Sequence, residues 1–407
     1  MSVITIFSGN FCHEDSIVKE VVKATGYNLI DEKEIIKKTS ALSKITETKI
    51  MEAFIAKTSI FNKFTHEKER SIAYLRLAIA NCLEQEKLVM SGFPVHLIPS
   101  DINHVLRTCL IADVKHRIIN AEAEGQTEKI AAKLIKEHEK NSAAWVKNIF
   151  GVEDPWSISI YDMVIPVDKT NLKDTVKLIL EKSKSGAVEY TESSKNAVRD
   201  FHLAALVETA LADDGHNIGV SAKNGAVKLT INNNVLMLKK LEEDITSIAK
   251  KVSGVISVET QTGKDFYQAD IYRKYDFQIP SKLLLVDDER EFVQTLSERL
   301  LLRDMTSAVA YDGESALNIV DEDEPEVMIL DLKMPGIDGI EVLRKVKASK
   351  PEIEVIILTG HGSEADRKIC MELGAFAYLH KPVDIDLLSQ TLKQANQKIK
   401  ENLRQLK

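Results

Sequence analysis

The sequence predicts a multidomain α/β protein whose larger domains are built on parallel sheets. At 407 residues the chain is long enough for two to four domains. Short apolar runs recur along it and alternate with longer amphipathic stretches, which is the pattern of strands that alternate with helices. In the C-terminal third, several of these runs end in a charged or hydroxyl residue. Parallel sheets open their ligand crevice at such strand ends.

The composition excludes several other classes of protein. Apolar residues make up 44% of the chain and charged residues 29%, an ordinary globular balance. The net charge of −8 provides no basic field for nucleic acid, so direct DNA binding is not expected. No apolar run approaches the length of a membrane span, and the N-terminus lacks the basic region of a signal peptide. The cysteines have no paired spacing, which argues against disulfides and zinc. We therefore expect a cytoplasmic protein.

The first segment, residues 1–184, begins with a strand, a turn and a helix. Residues 3–7 form an apolar run, residues 8–10 form a turn, and Asp15 or Ser16 could cap a helix from Ile17 to Ala24. This arrangement is the geometry of a phosphate-binding loop. Further buried strands are predicted at residues 87–92, 108–112 and 161–165.

These pieces resemble the cytidylate kinase-like branch of the nucleoside monophosphate kinases. The resemblance is carried by Gly26-Tyr27 through Ile30-Asp31, Gly92, Ala112 through Arg117, Phe150-Gly151 and Tyr161-Asp162. It implies a parallel α/β fold that binds and phosphorylates a nucleoside monophosphate.

The first segment departs from this family where the chemistry is performed. Phe11, Cys12 and His13 fill a turn that needs glycines if backbone N–H groups are to approach phosphates. Phe93 and Ser142 stand where the family has arginines. Because phosphoryl transfer depends on positive groups, we expect a kinase fold that does not catalyse. Arg117, Lys115 and Lys133 could still bind an anion, so a nucleotide or protein ligand stays open.

A linker-like stretch at residues 183–194 leads to a small middle segment, residues 195–263. It reads as a helix at residues 194–212, strands at 218–222 and 226–231, a helix at 236–252 and a strand at 254–258, with Asn224-Gly225 as a hairpin turn. This order, with the phrases at residues 224–229 and 252–258, resembles a BON domain. A generic dimerisation or spacer module fits the pattern equally well. A polar connector at residues 263–280 follows.

The last segment, residues 281–402, places polar residues at the ends of four apolar runs. Asp287 and Asp288 follow the first, and Asp331, Thr359 and Lys381 end or follow the others. Each gap fits a strand–helix–strand unit. Clustered carboxylates repel one another, and Mg²⁺ relieves this repulsion by accepting their oxygens as ligands. A carboxylate held in this way can attack a phosphoryl group, with a lysine to balance the charge.

In this order the pieces resemble the receiver domain of bacterial two-component response regulators. The resemblance implies a doubly wound, flavodoxin-like domain with a five-stranded parallel sheet, and a sensor histidine kinase or phosphotransfer protein as partner. It assigns Asp331 as phosphoacceptor, with Lys381 and Thr359 beside it, and Thr359 and Tyr378 as the pair that moves on phosphorylation. The implied Mg²⁺ ligands are Asp287, Asp288, Asp331 and the backbone carbonyl of Lys333.

The final helix, predicted from about Asp384, carries an apolar residue at every seventh position. These residues are Ile385, Leu392, Ile399 and Leu406. The repeat suits either a helix packed on its own sheet or one that pairs with a second chain, which leaves a homodimer open. We expect no DNA-binding output after it.

Three functional hypotheses follow from the sequence. The first is a response regulator whose phosphorylation controls a non-catalytic kinase-like module or a partner protein. The second is an active nucleoside monophosphate kinase gated by its receiver, which the substituted turn at Phe11 to His13 disfavours. The third is a signalling scaffold without catalytic output. The cognate kinase and the switched output are not legible in the sequence.

Overall fold

A computed structural model describes residues 3–57, 59, 62–234, 238–263, 268–269, 280, 282–301, 303, 305–360 and 362–405. The chain divides into two compact units. The first comprises Met1–Thr58 and Glu67–Asp270, and the second comprises Ser59–His66 and Ile271–Lys407. None of the described helices is both long and apolar enough to cross a membrane. Most of the connector predicted at residues 263–280 lies outside the described residues.

The N-terminal segment forms a five-stranded parallel sheet, as predicted. Its strands are β1 (Val3–Ser8), β2 (Asn28–Ile30), β3 (Leu88–Ser91), β4 (Val105–Ile111) and β5 (Met163–Pro166). The strand order is β2-β3-β1-β4-β5, and every neighbouring pair is parallel. All six residues of β1 are buried, as expected for a parallel strand covered on both faces.

The helices of this segment connect and flank the strands. They are α1 (Glu14–Thr25), α2 (Glu32–Ser43), α3 (Glu47–Glu52), α5 (Glu67–Leu83), α6 (Val114–Ala123), α7 (Glu128–Phe150) and α8 (Leu172–Ser183), with 3₁₀ turns at Phe93–Leu97 and Gly186–Val188. The short helix α4 (Asn62–Thr65) is grouped with the second unit. One expectation at α1 was wrong. The helix begins at Glu14, and its N-cap is His13 rather than Asp15 or Ser16. His13 adopts a left-handed conformation with φ 58° and provides no side-chain cap.

The middle segment has the predicted order of helix, two strands, helix and strand. Its elements are α9 (Glu192–Asp213), β6 (Gly219–Lys223), β7 (Ala226–Ile231), β8 (Asn233–Asn234), α10 (Leu238–Lys250), β9 (Ser257–Thr262) and β10 (Gln268–Ala269). The sheet order is β6-β7-β9, with β6 antiparallel and β9 parallel to β7. The last strand was predicted at residues 254–258 but begins only at Ser257. Gly254 has φ +95°, so the chain still turns there.

The linker-like stretch at residues 183–194 is not a break in the packing. Helix α9 begins inside it and lies along α5, where Tyr74 and Leu77 pack against Ala205. Val198 and Phe201 of α9 belong to the same core cluster as the N-terminal sheet. The N-terminal and middle segments are therefore two sequence modules that fold into one compact unit.

The C-terminal segment has the expected doubly wound architecture. Its elements are β11 (Leu283–Val286), α11 (Arg290–Leu301), β12 (Ser307–Ala310), α12 (Gly313–Glu322), β13 (Val327–Leu330), α13 (Gly339–Ser349), β14 (Glu354–Thr359), α14 (Glu364–Glu372), β15 (Ala377–His380) and α15 (Ile385–Gln405). The sheet is parallel throughout, in the order β12-β11-β13-β14-β15. Two apolar clusters cover its faces.

The apolar repeat of α15 packs on its own sheet. Leu388, Leu392 and Ala395 are fully buried in the cluster beneath the strands, and Ile399 packs against its edge. On the same helix, Lys398 Nζ lies 2.7 Å from the Glu354 carboxylate on β14. The repeat is therefore used within the segment as far as Ile399, while Leu406 lies outside the described residues.

Candidate functional site

The ladder between β11 and β13 brings the acidic residues together. Val286 pairs with Leu330, so Asp287 and Asp331 leave neighbouring strands at the same edge of the sheet. The Asp331 N–H donates to Val286 O at 2.9 Å, which holds the two strand ends side by side. Carboxylate oxygens of Asp287, Asp288 and Asp331 lie within 4.8 Å of one another. Asp287 and Asp331 are buried, and Asp288 is more exposed than either.

Lys381 provides the positive charge of this cluster. Its backbone N–H donates to Thr359 O at 2.9 Å, which places the residue at the same edge of the sheet. Its Nζ lies 2.6 Å from Asp287 Oδ2, 3.0 Å from Glu289 Oε1 and 4.0 Å from Asp331 Oδ1. The ammonium also lies over the Phe292 ring, 4.3 Å from its centroid. Lys381 is thus bound mainly to Asp287 and Glu289.

The pKa shifts agree with this pairing. Burial raises the pKa of Asp287 above its usual value, and the bonds from Lys381 and from the Glu289 N–H offset part of that rise. Burial alone would lower the pKa of Lys381, but its bonds to Asp287 and Glu289 outweigh burial and leave the pKa raised. Lys381 therefore remains a cation at neutral pH, held against the carboxylates.

Asp331 keeps one carboxylate oxygen without a hydrogen bond. Oδ2 accepts the Lys333 N–H at 3.2 Å, whereas Oδ1 is buried and has no hydrogen-bond partner among the described residues. A buried oxygen without a partner costs free energy unless a cation or donor satisfies it. Three carboxylates around such an oxygen are a hard donor set that fits Mg²⁺. These residues fit the implied metal.

Thr359 and Tyr378 lie side by side next to this cluster. Thr359 ends β14 and is fully buried. The Tyr378 hydroxyl packs directly against Gly362, at a place that a Cβ on this glycine would occupy. The same Cβ would lie 2.8 Å from Thr359 Cγ2. Tyr378 Oη is buried without a hydrogen-bond partner in the described part of the chain.

Gly339 allows two backbone segments to pack closely beside Asp331. A Cβ on Gly339 would lie 2.7 Å from Leu332 Cα and would overlap the Asp331 carbonyl oxygen. The N-terminus of α13 therefore packs directly on the backbone that carries the acidic residue. The sequence-based prediction did not include Gly339, Gly362 or Glu289. The adjacency of Glu289 to Asp288 was the only signal for it, and the two glycine contacts appear only in the folded structure.

In the N-terminal unit, the loop after β1 presents carbonyl oxygens where a phosphate loop would present N–H groups. Asn10 O accepts from Arg117 Nε at 2.8 Å, and Phe11 O accepts from Asn120 Nδ2 at 2.9 Å. Arg117 also pairs with Glu139 at 2.6 Å and is buried. Phe11 and His13 both have positive φ. The loop is therefore bound by the protein's own side chains.

Carboxylates and aromatic rings occupy the same region. Burial raises the pKa of Glu14, the first residue of α1, to about 7. Phe93 lies 5.3 Å from Phe7 and 5.4 Å from His138 between ring centroids, and its carbonyl accepts a hydrogen bond from Trp145. Of the residues predicted as anion ligands, Arg117 is buried, whereas Lys115 and Lys133 are exposed.

Comparison with known proteins gives two family matches. Residues 283–393 match the response regulator receiver domain family, and residues 3–169 match the cytidylate kinase-like family.

Among curated proteins, the transcriptional regulatory protein CpxR of Escherichia coli K12 is 43% identical over 102 residues, which is 25% of this chain and 43% of that protein. CpxR of Klebsiella pneumoniae shows the same identity and coverage. The chain thus spans less than half the length of these curated relatives.

Among solved structures, a receiver domain protein from Clostridium thermocellum is 36% identical, with 29% of this chain and 96% of that chain covered and a TM-score of 0.28. A CheY-like receiver domain protein from Methanospirillum hungatei is 23% identical, with 30% and 97% covered and a TM-score of 0.29. The chain therefore carries a C-terminal response regulator receiver domain, behind an N-terminal segment that matches the cytidylate kinase-like family.

Proposed function

We propose that the chain is a response regulator in which Asp331 accepts a phosphoryl group from a histidine kinase or phosphotransfer protein. One observation carries this proposal. Asp331 Oδ1 is buried and has no hydrogen bond among the described residues, and it lies 4.0 Å from Lys381 Nζ. A carboxylate oxygen of Asp331 also lies within 4.8 Å of oxygens of Asp287 and Asp288. This oxygen is the nucleophile of the proposed reaction.

The reaction transfers one phosphoryl group. A carboxylate oxygen of Asp331 forms a bond to phosphorus, and the bond between phosphorus and the donor nitrogen breaks, with its electron pair leaving on the donor imidazole. Asp287, Asp288, Asp331 and the Lys333 carbonyl would hold Mg²⁺, which offsets negative charge when bound. Lys381 then exchanges its bond to Asp287 for one to the new phosphoryl group.

The switch in this proposal is the pair formed by Thr359 and Tyr378. The Thr359 hydroxyl donates to a phosphoryl oxygen, and Tyr378 fills the space beside it. The contact of Tyr378 with Gly362 supports this assignment, since the ring already lies next to Thr359. Phosphorylation then favours the arrangement in which both side chains are turned inward.

We further propose that the kinase-like segment does not catalyse phosphoryl transfer and serves instead as a module controlled by the receiver. The bonds from Arg117 and Asn120 to loop carbonyls support this, because they hold the loop in a form that cannot cradle phosphates. The middle segment has the element order of a BON domain and joins the same compact unit, so we assign it a structural role.

The assignment of Asp331 is tested by phosphorylating the full chain with radiolabelled acetyl phosphate and Mg²⁺. The wild type should incorporate acid-stable but base-labile label, and Asp331→Asn should incorporate none. The matched control is Asp338→Asn. Asp338 caps α13 by accepting the Glu341 N–H at 2.8 Å, and asparagine caps equally well. Full labelling of Asp331→Asn, or equal loss in both variants, would contradict the assignment.

A further inference from the structure

Helix α7 of the kinase-like segment carries a row of lysines on its outer face. Lys129, Lys133, Lys136 and Lys140 are all exposed. At 100° per residue they fall within an arc of about 60°, and they extend for about 16 Å along the helix. We call these four residues the lysine row. The buried residues of α7, among them Ile135 and Trp145, lie on the opposite side.

The lysine row has no ion-pair partner in the part of the chain that the structure describes. None of its members forms an ion pair with any residue that the structure describes, although ion pairs at i, i+3 and i, i+4 spacing occur on other helices of this segment. Of the three acidic residues within α7, Glu139 is bound to Arg117, whereas Glu128 and Glu137 are exposed and form no ion pair with the four lysines. The helix therefore presents a concentrated positive charge to solvent.

Two exposed apolar side chains lie farther around the same helix. Ile130 is 47% exposed and Leu134 is 36% exposed, and Glu137 falls between them and the row at 100° per residue. A helix with lysines on its exposed face and exposed apolar residues on its flank is typical of surfaces that lie against a membrane. The face is convex, so its binding partner must be broad and anionic rather than a small molecule held in a groove.

We propose that the lysine row binds the surface of a bilayer that contains anionic phospholipids. Lysine is depleted at protein–protein interfaces, where Tyr, Trp and Arg dominate the binding energy. Single-stranded nucleic acid requires aromatic side chains for stacking, and the row has none. An anionic bilayer needs neither, because it attracts each nearby lysine through its surface potential.

The test is sedimentation of the full chain with vesicles. We expect binding to vesicles of equal parts phosphatidylglycerol and phosphatidylcholine, no binding to pure phosphatidylcholine, and loss of binding at high salt. The triple variant Lys133→Gln, Lys136→Gln and Lys140→Gln should weaken partitioning on the order of a hundredfold, since each lysine near the surface contributes roughly a factor of five. Lys136→Gln alone should weaken it roughly fivefold.

The control variant replaces Lys33, Lys37 and Lys173, which are exposed on α2 and α8, by Gln and changes the net charge equally. It should bind within about twofold of the wild type, since its lysines lie outside the row. Absence of wild-type binding at low salt, or equal losses in both triple variants, would overturn the proposal. Binding of duplex nucleic acid through the row without vesicle binding would overturn it as well.

Discussion

Lys381 contacts the acidic residues of the receiver, and its replacement tests whether it couples phosphorylation to the conformational response. Lys381→Ala would leave Asp287 and Asp331 without their cation, and the phosphoryl group without its partner. We expect phosphorylation of Asp331 to persist, while the conformational response falls roughly tenfold or more, as for loss of one charge-assisted hydrogen bond. Hydrogen exchange of the receiver with and without acetyl phosphate measures that response.

Lys368→Ala is the matched control for this variant, because Lys368 is 79% exposed on α14 and lies 4.0 Å from Glu372. Its response should equal that of the wild type. An undiminished response in Lys381→Ala would show that Lys381 does not couple phosphorylation to the switch.

Gly362 makes the inward position of Tyr378 available, so Gly362→Ala should disturb it. The added methyl would meet the Tyr378 hydroxyl and Thr359 Cγ2. We expect the free energy of unfolding to fall by about 1–3 kcal/mol. Adding Tyr378→Phe should recover part of that loss, because it removes the clashing oxygen. Denaturant titration of the four members of this double-mutant cycle checks the coupling, and strictly additive losses would contradict it.

His96 gives the N-terminal unit a defined pH dependence. Burial lowers the pKa of His96 to about 3, while an unfolded histidine titrates near its ordinary value of 6.5. As the pH falls below 6.5, His96 is therefore protonated in the unfolded state but stays neutral in the folded state. The free energy of unfolding decreases through this range until the pH reaches the folded pKa. His96→Gln should remove this contribution. Between pH 6.5 and 5, the unfolding free energy of the wild type should therefore decrease by roughly 2 kcal/mol more than that of His96→Gln.

Thermal or denaturant unfolding at several pH values measures this difference. If the unfolding free energy of His96→Gln depended on pH in the same way as that of the wild type, this would contradict the proposed contribution of His96.

The packing of α15 on the receiver sheet can be tested by comparing a buried and an exposed leucine of this helix. Leu392 is fully buried beneath the receiver sheet, whereas Leu387 on the same helix is 50% exposed. Leu392→Ala should destabilise the receiver by about 2–5 kcal/mol, through lost burial and the cavity left behind. Leu387→Ala should change the unfolding free energy by no more than about 0.5 kcal/mol. Equal effects in the two variants would indicate that α15 does not pack on the sheet as described.

The sequence predicted the elements of the receiver well because each strand end carries its own signal. Asp287, Asp331 and Thr359 all follow or end apolar runs, so a parallel sheet alone brings them to one edge. The contacts of Lys381 with Glu289 and of Tyr378 with Gly362 could not be predicted, because they join residues far apart in the chain. The start of β9 was placed too early, since the turn at Gly254 outweighs the strand propensity of the residues after it.

At the scale of the molecule, the sequence modules and the structural units do not coincide. Composition predicts a boundary near residues 183–194, but α9 packs on α5 and joins both modules in one unit. Arg70 and Tyr74 both bind Asp213, which adds polar contacts to that packing. Long-range packing of this kind leaves no local signature in the sequence.

The kinase-like segment should lack nucleotide kinase activity in the full chain. Arg117 and Asn120 bind the loop carbonyls, and Phe93 and Ser142 replace arginines of the family. We expect no turnover of ATP with CMP above background, with or without acetyl phosphate, in an assay that detects an authentic cytidylate kinase. Turnover that depends on phosphorylation of the receiver would instead favour the gated-kinase hypothesis.

We propose that Asp331 is the residue that carries the phosphoryl group. To test this, the full chain is phosphorylated with acetyl phosphate and Mg²⁺, the acyl phosphate is reduced with borohydride, and the modified residue is mapped by peptide mass spectrometry. Our account predicts conversion of Asp331 to homoserine in the phosphorylated sample, with none in the sample that received no phosphodonor. Modification at another carboxylate, with Asp331 unchanged, would contradict it.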